Sequence, residues 1–303
     1  MRLLLTGCLL ATLLVAGAGA GPMKVVCTTS DLGWLATEVG GDRVEVSVLC
    51  PGERDPHFLP AKPSLARKLG KADLLCYNGL ELEVGWLPVL LEKARNPQVR
   101  PGQPGDLDCA GALEKVLEVP VGEVSRAQGD VHPEGNPHYL LDPRNGLLVA
   151  RLMAERMAAM LPDEADNFFL RAEQLEADLE PRIKGWQEQA DALRIRPLVV
   201  YTKQWEYLAD WLGLDILGAV EHRPGISPSP RHVDELVGQA EQAGVRELVA
   251  APWNHLDVAE KAAARMNVAL VILPAAVDSR EGAESYPALF DIILADLRAA
   301  VEQ

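Results

Sequence analysis

The sequence predicts an α/β protein of two lobes, in which each lobe has a parallel sheet covered by helices and one long bridging helix joins the lobes. Three observations support this prediction. Short β-rich runs alternate with helical patterns in residues 21–162, the alternation returns in residues 197–303, and a long amphipathic pattern lies between them. Alternating strands and helices form parallel sheets because each crossover helix covers one face of the sheet.

The first twenty residues have the pattern of a signal peptide. Arg2 precedes an apolar run from Leu3 to Val15, and Ala18 and Ala20 fit the small-residue rule for signal peptidase. Too few residues precede Cys8 for its lipoprotein-like context to favour lipidation. We therefore expect residues 1–20 to be removed and the protein to be periplasmic or otherwise extracytoplasmic.

Residues 21–162 contain the elements of the first lobe. The β-rich runs cover 24–29, 44–49 and 73–77, and helical patterns cover 63–69 and 83–94. A Pro- and Gly-rich stretch over 100–137 has no clear periodicity. A further helical pattern then runs from Asn145 to Leu161 and ends before Pro162.

Residues 163–196 predict the linking helix. Apolar residues recur there every three or four positions with charged residues between them, namely Phe168, Ala172, Leu175, Leu179, Ile183, Trp186, Ala190 and Leu193. A helix of about 30 residues reaches about 45 Å, which is enough to bridge two lobes. We expect Pro181 to bend this helix or to disturb it locally.

Residues 197–303 repeat strand and helix four times. Open parallel sheets bind ligands beyond the carboxyl ends of their strands. In this lobe those ends carry Tyr201-Thr202-Lys203, Glu221-His222-Arg223, Trp253-Asn254-His255 and Ala276-Val277-Asp278.

The composition favours a cation as the ligand. The chain has a formal net charge of −15, and 48% of its residues are hydrophobic, which is ample for two buried cores. An acidic surface disfavours nucleic acid or an anionic membrane as a partner.

Four cysteines remain after the predicted cleavage, namely Cys27, Cys50, Cys76 and Cys109. In an oxidising compartment we expect one or two disulfides. Four cysteines allow three pairings, which the sequence does not separate.

Two Pro-His steps stand out in the first lobe. Pro56-His57 and Pro137-His138 each follow a β-type run and open a loop. Because loops after parallel strands meet at one edge of a sheet, the two imidazoles predict a metal site between the lobes.

The order of motifs resembles the solute-binding proteins of zinc and manganese ABC transporters over nearly the whole mature chain. The motifs are Pro51-Gly52, Asp55-Pro56-His57, Ala72-Asp73-Leu74, residues 78–83 with Trp86, residues 135–139, Leu141-Asp142-Pro143, Trp205 with Tyr207, Glu221, residues 224–226, Pro228-Ser229 and Tyr286. The resemblance implies a monomer that captures a divalent metal ion and delivers it to an ABC permease without chemical turnover.

The resemblance also implies a ligand set. His57 and His138 match two family histidines, and Asp278 matches a late carboxylate, but Thr202 stands where the family has a third histidine. His222, after the neighbouring strand, is our candidate for the missing nitrogen, with His255, water or an altered metal as alternatives. Zinc is the expected metal and manganese or iron the alternative, because nitrogen-rich sites favour zinc.

Two hypotheses that assign the protein to other functional classes remain. A secreted metallohydrolase would need a general base such as that of an H-E-x-x-H helix, which the sequence lacks. A degenerate metal-sensing or adhesion protein on the same scaffold is consistent with Thr202. His132, in the loop before the second Pro-His step, is interpreted as a structural loop residue.

Overall fold

The computed structural model describes residues 21–120, 132–193, 197–221 and 225–302. The predicted signal peptide and His222 therefore lie outside the described residues. Within these ranges, no helix combines the length and the apolar character needed to cross a bilayer.

The sheet of the first lobe has four parallel strands. They are β1 (Met23–Cys27), β2 (Val44–Val48), β3 (Leu74–Tyr77) and β4 (Asp106–Asp108), in the order β2-β1-β3-β4. Its helices are α1 (Ser30–Gly40), α2 (Pro63–Leu69), α3 (Leu87–Ala94) and α4 (Pro143–Met160). The parallel sheet confirms the prediction for this lobe.

Two elements of this lobe have no counterpart in the sequence prediction, namely α1 and β4. Helix α1 contains Gly33, which lowers intrinsic helix propensity. The helix packs so closely on β2 that a Cβ at Gly33 would lie 2.5 Å from Cγ2 of Val48. Tertiary packing therefore outweighs local propensity in this helix.

The bridging element is helix α5 (Ala165–Leu193), which has 29 residues. A short 3₁₀ turn, Pro162–Glu164, precedes it, so the α-helix begins two residues later than predicted. The helix runs unbroken through Pro181, whose ring is exposed. Its buried side chains are Phe168, Leu175, Leu179, Trp186 and Ala190.

The second lobe repeats the topology of the first. Its strands are β5 (Leu198–Val200), β6 (Ile216–Ala219), β7 (Glu247–Ala250) and β8 (Ala269–Ile272), all parallel in the order β6-β5-β7-β8. Its helices are α6 (Glu206–Leu212), α7 (Pro230–Ala243), α8 (Leu256–Met266) and α9 (Tyr286–Val301). The predicted fold class is thus confirmed.

The largest hydrophobic cluster of the described residues is continuous across both lobes, and each lobe also has a smaller cluster of its own. It runs from Val25 of the first sheet through Trp186 of α5 to Phe290 of α9. The Trp186 ring lies 5.2 Å from the Phe290 ring, and its Nε1 donates a hydrogen bond of 2.7 Å to Asp291. Helix α5 therefore belongs to the shared core.

The cysteine expectation is wrong for this structure. Cys27, Cys50, Cys76 and Cys109 are all buried free thiols. Cys27 and Cys76 are register partners on adjacent parallel strands. Burial raises the pKa of Cys50 to about 12, so this thiol stays protonated and unreactive.

Candidate metal-binding cleft

A cleft of about 630 Å³ lies between the lobes, beyond the carboxyl ends of strands from both sheets. The first-lobe side is lined by Asp55, His57, Phe58, residues 118–120, His132 and residues 135–138. The second-lobe side is lined by residues 201–204, Glu221, Gly225 and residues 253–255. This position is the one expected for a ligand site in open α/β sheets.

His57 is fixed by the residues immediately before it. Asp55 caps the 3₁₀ turn Pro56–Phe58 by accepting a hydrogen bond from the His57 backbone N–H. The same carboxylate lies 2.7 Å from Nδ1 of His57. The indole N–H of Trp86 donates to the Pro56 carbonyl at 2.8 Å and anchors the turn. Because Asp55 engages Nδ1, Nε2 of His57 is the nitrogen that can bind a ligand.

His138 is held by an amide network that joins both lobes. Its backbone N–H donates to the Asn136 side chain at 2.9 Å. The Asn136 amide in turn donates to the carbonyl of Lys203 in the second lobe at 2.9 Å. The Asn78 amide donates to the Pro137 carbonyl at 2.7 Å. The loop that carries His138 is therefore positioned by both lobes.

Burial lowers the pKa of His138 well below its usual range, and the neighbouring imidazoles of His57 and His132 add to this effect. A low pKa leaves the imidazole neutral at physiological pH. Only the neutral form has a lone pair for a metal ion.

His132 lines the same cleft, whereas the sequence predicted only a structural loop residue at this position. Its carbonyl accepts a hydrogen bond from the Gly135 N–H at 3.1 Å, which closes a turn. Gly135 has a φ of +115°, and a Cβ there would lie 2.9 Å from the Leu117 carbonyl oxygen. A histidine six residues before His138, with an intervening glycine turn, is the signal that could have found it.

The three imidazoles lie close together. Nε2 of His57 is 3.2 Å from Nε2 of His132. The ring centre of His57 is 5.2 Å from that of His132 and 5.1 Å from that of His138. In the described part of the chain, no three His, Cys, Asp or Glu side chains already form a group that could hold a metal ion. Binding an ion here therefore requires these side chains to shift.

The second-lobe side offers a more mixed set of side chains. Thr202 is half-buried and donates its hydroxyl hydrogen to the Gln204 side chain at 3.2 Å. The ammonium group of Lys203 pairs with Glu118 at 2.8 Å. Glu221 is buried and accepts a hydrogen bond from the Gly225 N–H at 2.5 Å. His255 lines the cleft but is exposed at the start of α8.

Asp278 does not line this cleft. It is exposed, has a φ of +60°, and its N–H donates to the Ala283 carbonyl at 2.8 Å. The adjacent Val277 N–H donates to the Asp31 carboxylate at 2.8 Å, and the Val277 carbonyl accepts from the Ser30 hydroxyl at 2.6 Å. These bonds hold the Asp278 turn against α1. The structure thus brings His57 and His138 together and leaves Asp278 apart.

The sequence matches a known protein family over most of its length. The family described as "ZnuA: Zinc-uptake complex component A periplasmic" matches residues 25–300. The chain belongs to this family. Membership confirms the resemblance that the motifs indicated, and the relatives of this family named below are substrate-binding components of transporters rather than enzymes.

Individual relatives are distant. The "Metal ABC transporter substrate-binding lipoprotein FimA" of Streptococcus parasanguinis is 28% identical over 156 residues, which are 50% of this chain and 47% of FimA. The "Manganese ABC transporter substrate-binding lipoprotein PsaA" of Streptococcus mitis is 22% identical over 76% of this chain and 72% of PsaA. The chain thus spans about half the length of FimA in that match.

Solved structures show the same fold. A crystal structure of ZnuA superposes with a TM-score of 0.77 at 21% identity, covering 92% of this chain and 99% of that one. A cadmium-bound periplasmic metal-binding protein from Candidatus Liberibacter asiaticus gives a TM-score of 0.73 at 18% identity, with the same coverages of 92% and 99%. At these identities the likeness concerns the fold alone.

Proposed function

We propose that this protein captures a divalent transition metal ion outside the cytoplasmic membrane and delivers it to an ABC permease. The observation that carries the proposal is the convergence of His57 and His138, from two separate loops, on the cleft between the lobes. Related proteins named as metal-transporter components support it. In this function the protein binds and releases the ion without any chemical turnover.

Zinc is the proposed cargo, and manganese is the alternative. Neutral imidazole is a preferred zinc ligand, whereas manganese favours sites richer in carboxylate and water. The described donors of the cleft are mainly imidazoles, and the buried Glu221 is the nearest carboxylate on the second-lobe side. Related structures carry zinc, manganese or cadmium, so the family itself leaves the metal open.

His57 and His138 are the proposed primary ligands. His222 stays a proposed further ligand and lies outside the described residues. For Asp278 to complete the same site, its turn must release the bonds that Val277 makes to α1 and move into the cleft.

A degenerate metal-sensing or adhesion role is the second candidate, and the observation that favours it is Thr202. This hydroxyl faces the cleft at a position where an imidazole would be a stronger zinc ligand. The two candidates differ in affinity, because transport capture requires tight, reversible binding and the degenerate role does not.

The test is a zinc and manganese titration of metal-stripped, full-length mature protein at neutral pH. We compare the wild type with a His57→Ala and His138→Ala double variant. His232→Gln is the matched control, because His232 lies outside the cleft and its Nε2 bonds the Ala219 carbonyl at 2.8 Å.

Transport capture predicts tight zinc binding in the wild type and the control, weaker manganese binding, and a loss of at least about 100-fold in the double variant. Weak zinc binding that is equal in all three proteins would favour the degenerate role. Tight binding that survives in the double variant would contradict the proposed ligands.

A further inference from the structure

We infer that His132 is a direct metal ligand, so that the first lobe supplies three imidazole nitrogens to the ion in the cleft. This inference rests on the proposed function and names the residue that completes its site. The observations that carry it are distances among His57, His132 and His138.

The first argument is the spacing of the nitrogens. Two nitrogens bound to one tetrahedral Zn²⁺ at roughly 2.0–2.1 Å from the ion lie about 3.3 Å apart. Nε2 of His57 and Nε2 of His132 are 3.2 Å apart. An ion can therefore enter between them without a change in their separation.

The spacing of the rings gives a second, independent argument. Imidazoles that bind one tetrahedral zinc ion through Nε2 have ring centres about 5.2 Å apart. The His57 ring centre is 5.2 Å from that of His132 and 5.1 Å from that of His138. Both separations agree with that value.

The orientation of His57 agrees with this arrangement. Asp55 lies 2.7 Å from Nδ1 of His57, which leaves Nε2 pointing at His132. A carboxylate on the remote nitrogen is the usual support of a metal-bound histidine, because it fixes the tautomer and the ring plane.

The backbone around His132 is built to hold it in place. Gly135 closes the turn onto the His132 carbonyl at 3.1 Å. The next residue, Asn136, donates its N–H to the Leu117 carbonyl at 2.8 Å, and the Leu117 N–H donates to the Tyr207 hydroxyl of the second lobe at 2.9 Å. His132 therefore enters the cleft from an anchored turn.

A three-nitrogen set from one lobe has a functional consequence. The ion can load onto the first lobe before the second lobe contributes any ligand. Three imidazoles also favour zinc over manganese. In that case the site needs no metal ligand at position 202, and this agrees with the hydrogen bond that the Thr202 hydroxyl donates to Gln204.

The experiment uses full-length mature protein and two probes, zinc by competition titration and cobalt(II) by visible absorption, which reports the ligands around the ion. The variants are His132→Ala and His132→Asn. His232→Gln is the matched control, because His232 does not line the cleft and its Nε2 bonds the Ala219 carbonyl at 2.8 Å. Thermal unfolding of each metal-free variant checks that the fold is intact.

We expect both His132 variants to lose at least about 100-fold in zinc affinity and to change the cobalt spectrum, while His232→Gln keeps the wild-type affinity and spectrum. Wild-type zinc affinity in the His132 variants, or lower affinity with an unchanged cobalt spectrum, would overturn the inference and leave the proposed function standing. Absence of zinc binding in the wild type would instead overturn the proposed function, and the inference with it.

Discussion

The two lobes have the same sheet but different chemistry at their strand ends. Both sheets are parallel and place their strands in the order second, first, third, fourth. Among the described residues, the first lobe presents His57, His132 and His138 to the cleft, whereas the second presents Thr202, Lys203, Glu221 and a single imidazole, His255. Repetition of a fold therefore does not repeat its site, and most of the described imidazoles of the cleft lie on the first-lobe side.

The supporting contacts differ in the same way. On the first-lobe side, each of two imidazole-bearing loops is fixed by a side chain two residues earlier, Asp55 for His57 and Asn136 for His138. On the second-lobe side, Lys203 places a cation at the cleft and is neutralised by Glu118. A cation there would repel a metal ion if that pairing were lost.

The largest expected effect tests whether the lobes share one core. Phe290 is fully buried and packs on Trp186 and Trp211 with ring centres 5.2 and 5.5 Å away. We expect Phe290→Ala to lower the free energy of unfolding by about 3–5 kcal/mol, because it leaves a cavity in the cluster that crosses both lobes. Urea unfolding followed by tryptophan fluorescence and by circular dichroism measures it.

The shared core also predicts that both probes report one transition in the wild type and in Phe290→Ala. Two separate transitions, of which only one shifts, would show that the lobes unfold independently and would contradict the continuous core. Leu90→Ala is the control for a cavity that does not cross the lobes, because Leu90 belongs to a smaller hydrophobic cluster of the first lobe that includes Leu69 and Trp86.

The next effect concerns the turn that positions His132. We expect Gly135→Ala to lower zinc affinity about 10- to 100-fold, because the substitution strains a φ of +115° and displaces the turn. Gly102→Ala is the control, since Gly102 also has a positive φ, +79°, but no atom lies within 4 Å of a Cβ there. Equal affinity in both variants would show that the turn does not set the site.

A third effect concerns the contact that keeps the Asp278 turn on α1. Burial raises the pKa of Asp31 to about 7, against hydrogen bonding that lowers it. Since the folded-state pKa is above the unfolded one, about 3.9, this carboxyl favours folding at low pH and loses that contribution as pH rises through 7. The shift corresponds to at most about 4 kcal/mol.

In the wild type we expect the free energy of unfolding to fall between pH 5 and 8 as the Asp31 carboxyl ionises. In Asp31→Asn we expect this fall to be smaller, by a few kcal/mol at most, because the amide oxygen still accepts the Val277 N–H without carrying a charge. Thermal unfolding across that range measures it. A pH profile unchanged from wild type would show that Asp31 does not titrate in this window.

The smallest effect probes the second-lobe side. Thr202→Ala removes a hydroxyl whose partner is Gln204, so we expect zinc affinity to change by less than about 3-fold. Zinc titration beside the wild type measures it. A loss as large as that of a first-lobe histidine variant would remove the contrast between the lobes.

Much of the fold could be predicted from local signals. Helices α7 and α9 begin directly after Ser229 and Ser285, which cap them, and each has a proline in its first turn. Strand β4, with only three residues, has no such signal, because it depends on pairing with β3. Short elements defined by tertiary contacts are those that the sequence pattern misses.

The site could be predicted only in part, for the same reason. His57 and His138 follow from the Pro-His steps, and the structure brings them together. The position of His132 depends on the Gly135 turn and that of Asp278 on contacts with α1, neither of which is visible in spacing. The two Pro-His steps thus locate the cleft, but the geometry of the turns determines which other side chains reach it.

The most direct test of the account is a crystal structure of the zinc-bound protein. We expect the ion in the cleft between the lobes, with Nε2 atoms of His57, His132 and His138 at about 2.0–2.1 Å from it. An ion held by His57 and His138 together with second-lobe side chains, with His132 turned away, would contradict the claim that one lobe supplies the nitrogen donors.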